Sequence, residues 1–239
     1  MTKICLLFCS KKEQTAEITK PFLTLNLLQN KFNKKLRKII INFHPKLLWH
    51  QKGHEKVAAL DSKNIIRDLS SHIQDLNPST LNESNLKKLS QIDLSKLKEI
   101  NVKSRIGSCV SNPVDFLAIG LNYKAHAEGT NSKLPTEPIL FNKSSGCIQG
   151  PNDPILKPKA ANKMDYEVEV AIVIGKEGKH ILEEEAQEHV FGYCIVNDVS
   201  ERSWQKERGG QWIKGKSIAG PCGPYLVTKD EIKDINNLN

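Results

Sequence analysis

The sequence predicts a mostly β, α+β protein: a β-rich domain with helical insertions, preceded by a small N-terminal unit. Two observations predict it. Beyond Ser111-Asn112-Pro113, short segments rich in β-branched and aromatic residues are separated by Gly, Pro and Asn turns, and they outnumber the helical segments. Strand and helix do not alternate regularly, which argues against a parallel βαβ sheet. With 239 residues, 38% hydrophobic and 26% charged, the chain is long and apolar enough to bury a sizeable core.

Residues 1–45 form a basic extension rich in Lys, Asn, Leu and Ile. Their helical periodicity (Phe22, Leu25, Leu28, Phe32, Leu36, Ile39, Ile40) stops at His44-Pro45, so they read as a helical appendage. Residues 46–112 form the small unit. There KVAALDS is a strand, SKN a turn and IIRDLSSHIQDL a second apolar segment. NPSTLNESNLKKLSQIDLSKLKEI then carries capping residues and leucines at helical spacing. Residues 113–239 form the β-rich domain. Its predicted strands are DFLAIG, PILFNK, PILK, YEVEVAIVI, FGYCIVND and PYLVT, with LEEEAQEHV and SERSWQKER as short helices between them.

Charge is unevenly spread. Residues 1–60 hold 12 Lys+Arg against 3 Asp+Glu, leaving 23 against 24 for the rest, so the formal +8 belongs to the N-terminal segment alone. A solvated arm is the plain reading of it, and nucleic acid is not an expected partner. Six cysteines without a CxxC pair or a regular framework fit reduced thiols in a cytoplasmic protein. The apolar run Ile4 to Cys9 is too short for a convincing signal peptide, and no run approaches the ~20 residues of a membrane span.

In YEVEVAIVI side chains alternate, placing Tyr166, Val168 and Val170 on one face and Asp165, Glu167, Glu169 and Ala171 on the other. Glu167 and Glu169 are therefore adjacent on one face, ~7 Å apart along the strand. The following AIVI is apolar on both faces, so the acids lead into a core, where an unpaired carboxylate is costly and a cation is needed. An exposed edge whose acids face water is the competing reading. Asp198 ends a second apolar run, GYCIVND, where a loop begins. Three carboxylates without a His or Cys set suit a hard divalent ion rather than zinc. His50 and His54, at i, i+4 without other ligand signals, read as surface residues.

GQWIKGKS satisfies the phosphate-loop expression, but that chemistry needs a strand before the first glycine and a helix after Lys-Ser. Here polar SERSWQKERG precedes it and IAGPCGP follows. A nucleotide site is not expected, and Lys216 is left in need of another explanation.

Several segments carry a resemblance: RDLSSHI, IGLNYKAHAEG, PTEPILFNKSS, GPNDPI, MDYEVEVAIVIGK, GYCIVNDVSERSWQKERGGQWIKGKS and GPYLVTKDEI. From about Val57 to Leu238 the chain resembles the fumarylacetoacetate hydrolase family, especially its bacterial acylpyruvate, ureidoglycolate and 2,4-diketo-3-deoxy-sugar-acid hydrolases and lyases. The resemblance implies a catalytic β-rich domain with a mixed β-sandwich roll, a homodimer and a Mg²⁺ or Mn²⁺ cofactor. It implies metal ligands at Glu167, Glu169 and Asp198, substrate contacts at Arg202 and Gln205, and catalytic roles for His126 and Lys216. The implied reaction is cleavage of a C–C or related bond in a 2-oxo or 1,3-dicarbonyl acid through an enolate. Decarboxylation or keto–enol conversion would need the same enolate.

The chain also departs from the family pattern. The glutamate expected three residues after the lid histidine is Gly129, with Glu128 beside it and Ala125 before the histidine. GKSIAGPCGP is two residues shorter than the family's post-lysine segment and lacks its Asp-Thr-Phe. The expected closing strands do not follow INNLN. The roll is accordingly expected to be incomplete at its C-terminal end. The alternative reading is an inactive remnant of the family that still binds metal.

Overall fold

A computed structural model describes residues 3–8, 39–43, 56–100, 105–232 and 234–235. Nine strands form one sheet: β1 (Lys3–Phe8), β2 (Ile39–Phe43), β3 (Lys56–Leu60), β4 (Ile66–Asp68), β5 (Asp115–Gly120), β6 (Ile139–Lys143), β9 (Val168–Ile174), β10 (Val190–Asn197) and β13 (Leu226–Thr228). Two small two-stranded sheets pair β8 (Met164–Asp165) with β11 (Ser200–Glu201), and β7 (Ile148–Gln149) with β12 (Gly220–Pro221). The order across the large sheet is β4-β3-β2-β13-β10-β9-β1-β5-β6, antiparallel except for the β1–β5 pair. The mostly β reading therefore holds.

Helices are short and lie in the connections: α1 (Glu83–Ser90), α2 (Lys124–Gly129), α3 (Ala186–His189), α4 (Arg202–Lys206) and α5 (Trp212–Lys216). Helix α1 begins at Asn82, whose side-chain oxygen accepts from the Asn85 N–H at 3.0 Å. Leu86 and Leu89 pack its inner face on the core. The turn between α4 and α5 needs two glycines, since Gly209 and Gly210 take φ of +67° and +74°. Gly215 lets α5 close on α4, because a Cβ there would lie 2.8 Å from the Gln205 nitrogen.

Strand β9 is central, hydrogen-bonded to β10 on one side and β1 on the other. Its burial follows side-chain alternation: Glu169, Ala171 and Val173 are buried, while Val168 is exposed and Val170 is half-buried. This removes the edge-strand reading of the acids. On the same side lies the main core, where Phe116, Ala118, Ala171, Val173, Cys194, Val196 and Leu226 meet.

Three expectations change. YEVEVAIVI is not one strand: the chain leaves extended pairing at Tyr166 and Glu167, because β8 pairs with β11 whereas β9 pairs with β10. PILK forms no strand, and Leu156 is 76% exposed; strand-like composition cannot substitute for a pairing partner. Ile39 and Ile40 belong to β2 and not to a helix, since β3 and β13 flank them with ladder partners. The rest of the helical periodicity proposed for the extension, with His50 and His54, lies outside the described residues.

Candidate functional site

Where the segment entering β9 meets the loop that follows β10, three carboxylates, Glu167, Glu169 and Asp198, are buried. The Asp198 N–H donates to the Glu167 carbonyl at 2.8 Å, so these two residues face each other across the ladder; Glu169 lies one side-chain repeat further along β9, opposite Val196. Glu167 is 8% exposed, Glu169 1% and Asp198 0%.

Buried anions require cations, and here they are side chains. The Lys216 ammonium donates to Glu167 Oε2 and, at 2.9 Å, to Asp198 Oδ2. Lys143 donates to Asp198 Oδ1 at 2.5 Å and also to the Lys216 carbonyl. Arg202 reaches Glu167 Oε1 at 2.6 Å and Asp165 Oδ2 at 2.8 Å, and donates to Gln205 Oε1 at 3.0 Å. The Ser200 hydroxyl donates to Glu167 Oε2 at 3.2 Å. Burial alone would raise the Glu167 carboxyl, but Lys216 and Arg202 outweigh it and hold the group at about 2.

Sequence reasoning missed Lys143, although a signal existed. In PILFNK, Ile139, Phe141 and Lys143 fall on one face, which puts a lysine on the same side as apolar residues at a strand end. Register places it opposite Phe116, on the core side of β5, and it is fully buried. Glu201 was also missed. It is buried as the N-cap of α4, accepting from the Asn162, Lys163 and Trp204 N–H groups at 2.9, 2.6 and 2.6 Å and from the Ser203 hydroxyl at 2.7 Å. Those bonds overcome the upward push of burial, hold its carboxyl at about 2, and fix the turn from which Arg202 projects.

Phosphate-loop geometry is absent at GQWIKGKS. Helix α5 ends at Lys216 instead of starting there, and the Ser217 hydroxyl accepts from the Ser144 N–H at 2.7 Å, tying the segment to the end of β6.

His126 lies half-buried on α2. Burial lowers its pKa; Glu167 opposes that, and Arg202 and Lys216 add to it, so the imidazole lies within electrostatic reach of the carboxylate cluster. Glu128 pairs with Lys124 at 3.8 Å, with its side chain 64% exposed on the solvent side of α2.

The donor types fit a hard cation: buried carboxylate oxygens, with one ammonium held by Glu167 and Asp198 together. Among the described residues the sulfurs of Cys109, Cys194 and Cys222 lie within 4.8 Å of one another, whereas the three acids do not bring their oxygens that close together. Those thiols are deep in the apolar core, with Cys222 Sγ 3.7 Å from Cys109 and 3.6 Å from Cys194. Cys109, Cys147, Cys194 and Cys222 are free thiols. No helix among the described residues is long and apolar enough to cross a membrane.

Comparisons with known proteins bear on the family and the fold. The family model described as the fumarylacetoacetate hydrolase C-terminal region matches residues 115–239. A Burkholderia orbicola protein, provisionally named as a hydrolase, is 48% identical over 189 residues, covering 78% of this chain and 67% of its own length. The fumarylacetoacetate hydrolase of Exiguobacterium antarcticum superposes with a TM-score of 0.65 at 29% identity, over 81% of this chain and 67% of that one. A Mycobacterium abscessus protein provisionally assigned as a 2-hydroxyhepta-2,4-diene-1,7-dioate isomerase gives 0.64 at 26% identity, over 83% of this chain and 67% of that one.

Proposed function

We propose, for a chain that belongs to the fumarylacetoacetate hydrolase family and has its mixed β fold, that it is a divalent-metal-dependent hydrolase or lyase of 2-oxo or 1,3-dicarbonyl acids. The observation that carries this reading is that Lys216 bridges Glu167 and Asp198, with Arg202 on Glu167, in one buried place, with buried Glu169 one side-chain repeat along β9.

Glu167, Glu169 and Asp198 would hold the ion, Mg²⁺ or Mn²⁺, as all-oxygen ligands. Such an ion supplies positive charge beside an enolate oxygen as it develops. Arg202, with its planar fork fixed by Asp165 and Gln205, is suited to bind the substrate carboxylate, and Gln205 to orient it. Lys216 would neutralise the oxygen that becomes anionic when the carbon–carbon bond breaks. His126, its pKa lowered by burial, is neutral at pH 7 and able to take a proton from water. The hydroxide so formed attacks the distal carbonyl; the bond to the central carbon breaks, its electron pair becomes the enolate, and that carbon is then protonated. Enolate chemistry also accommodates isomerisation, the activity assigned to the Mycobacterium relative.

One observation favours the second reading, metal binding without turnover. Glu128 faces solvent beside Lys124, so the lid histidine has no glutamate three residues on to support it.

The test begins with metal-stripped protein. Saturating Mg²⁺ or Mn²⁺, at ~100 times its dissociation constant, should stabilise the fold by about 2.7 kcal/mol. Glu169→Ala should abolish the thermal shift. An unshifted unmodified protein would remove the metal from the reading. Metal-dependent loss of acylpyruvate absorbance would separate the enzyme from a non-turnover binder.

A further inference from the structure

We infer that the Lys216 ammonium and the divalent ion compete for one position, so that the ion enters the carboxylate site as Lys216 leaves it. This rests on the metal reading above and adds a device to it: a tethered cation that holds the metal-free site together and is released by loading.

Lys216 stands where an ion would stand. Glu167 Oε2 and Asp198 Oδ2, two oxygens that would face an ion, both accept from its Nζ, and the lysine is 2% exposed. A hard cation seeking those oxygens meets a cation already between them.

Charge balance points the same way. Glu167 and Asp198 already have three cations against them, Lys143, Lys216 and Arg202, the last shared with Asp165, in a place from which water is largely excluded. Adding two more positive charges beside carboxylates that already hold their counter-charges is unfavourable unless one cation withdraws.

Of the three cations, Lys216 is the one whose ammonium bridges Glu167 and Asp198. Lys143 is fully buried and held both by Asp198 and by the Lys216 backbone carbonyl. Arg202 is anchored outside the pair by Asp165 and Gln205. Lys216 has a flexible four-carbon stem at the end of a five-residue helix. Its Nζ lies 5.4 Å from the centroid of Phe141, whose ring packs edge-on against Trp212 at 5.2 Å, and Trp212 is 36% exposed. Aromatic faces that attract an ammonium thus lead from the acids toward solvent. By linkage, a lysine that weakens the ion's hold is weakened equally by the ion.

Two measurements test the exchange. The first is Mn²⁺ titration of the metal-stripped full chain, read by the electron paramagnetic resonance signal of free Mn²⁺, for the unmodified protein, Lys216→Met and Lys216→Arg. Lys216→Met should bind ~10-fold more tightly or better, as expected for losing a charged hydrogen-bonding competitor, whereas Lys216→Arg should stay near the unmodified value. The second needs no variant: acetylation by an amine-reactive ester, mapped by peptide mass, should be faster at Lys216 when Mn²⁺ is present, with Lys143 unmodified throughout. Equal affinities together with unchanged Lys216 labelling, in a protein that does bind Mn²⁺, would overturn the exchange and leave the metal reading intact. Absence of Mn²⁺ binding in the unmodified protein and in Lys216→Met would overturn both.

Discussion

Replacing Lys143 by Met keeps most of the side chain's volume and removes its charge, which makes it a sharp probe of the buried cluster. The ammonium sits 2.5 Å from Asp198 Oδ1, and neither side chain has any exposure. Breaking one partner out of a buried ion pair costs ~3–5 kcal/mol, because the other charge stays desolvated. Asp198 retains Lys216 at 2.9 Å, so the expected loss is at the low end, about 3 kcal/mol. With a urea slope of ~2–3 kcal/mol per molar, that is a midpoint lower by roughly 1–1.5 M at unchanged slope. The assay is urea unfolding in chelator, which keeps metal out of the comparison. Asp198→Asn and the double variant complete a cycle, in which the double loss should fall ~2 kcal/mol short of the sum of the single losses. A Lys143→Met loss below ~1 kcal/mol, or strict additivity, would refute the idea that this lysine is the fixed counter-charge of the site.

The other expectations concern protons. The Glu167 carboxyl lies at about 2 in the folded protein, because Lys216 and Arg202 outweigh burial, against an ordinary value near 4.5. The unfolded chain therefore takes up the proton first, so this group's stabilisation is present above about pH 4.5 and is lost as pH falls toward 2. Melting temperatures of the unmodified protein and Glu167→Gln, compared in chelator from pH 7 to pH 3, should converge on the acid side; a constant gap would contradict the assignment. His126 should titrate below its ordinary 6.5, the combined result of burial, Arg202 and Lys216 against Glu167. Its imidazole resonance should move to still lower pKa in Glu167→Gln and to higher pKa in Lys216→Met, and a value unmoved by both substitutions would place the ring outside the field of the cluster.

What the sequence made legible follows from periodicity. Alternation along β9 correctly put Glu169 on the face shared with Ala171, and that face is the buried one; Glu167, just before the strand, is buried as well, but Asp165, read onto the same face, is exposed because the strand breaks between them. Apolar runs marked β3, β5, β6, β10 and β13, and capping residues with spaced leucines marked the segment that holds α1, because each of these signals is local. Pairing is not local. Nothing in YEVEVAIVI announces that Met164 and Asp165 pair with Ser200 and Glu201 while Val168 onward pairs with β10, so the break at Tyr166 and Glu167 was out of reach. PILK has strand composition without a neighbour to receive its hydrogen bonds, and Ile39 and Ile40 fit a helical period until β3 and β13 are placed beside them.

Lys143 lay within reach of the same physical reasoning. Carboxylates on an apolar face raise the question of which cation accompanies them, and a metal ion is only one answer. Applied to every strand, that question also flags the lysine that ends PILFNK, because a charged residue in phase with apolar side chains that turn inward must meet its opposite inside. Two strands carrying opposite charges in phase with their apolar faces are then joined by electrostatics alone. Which carboxylate receives which cation stays beyond that reasoning. The partners of Lys143 and Lys216 depend on Asp198 facing Glu167 across the ladder and on Ser217 being tied to Ser144, contacts set by register between distant segments. The division of labour between the two lysines, one sealed against Asp198 and one at the end of a short helix beside Phe141, is accordingly a property of the fold rather than of either motif.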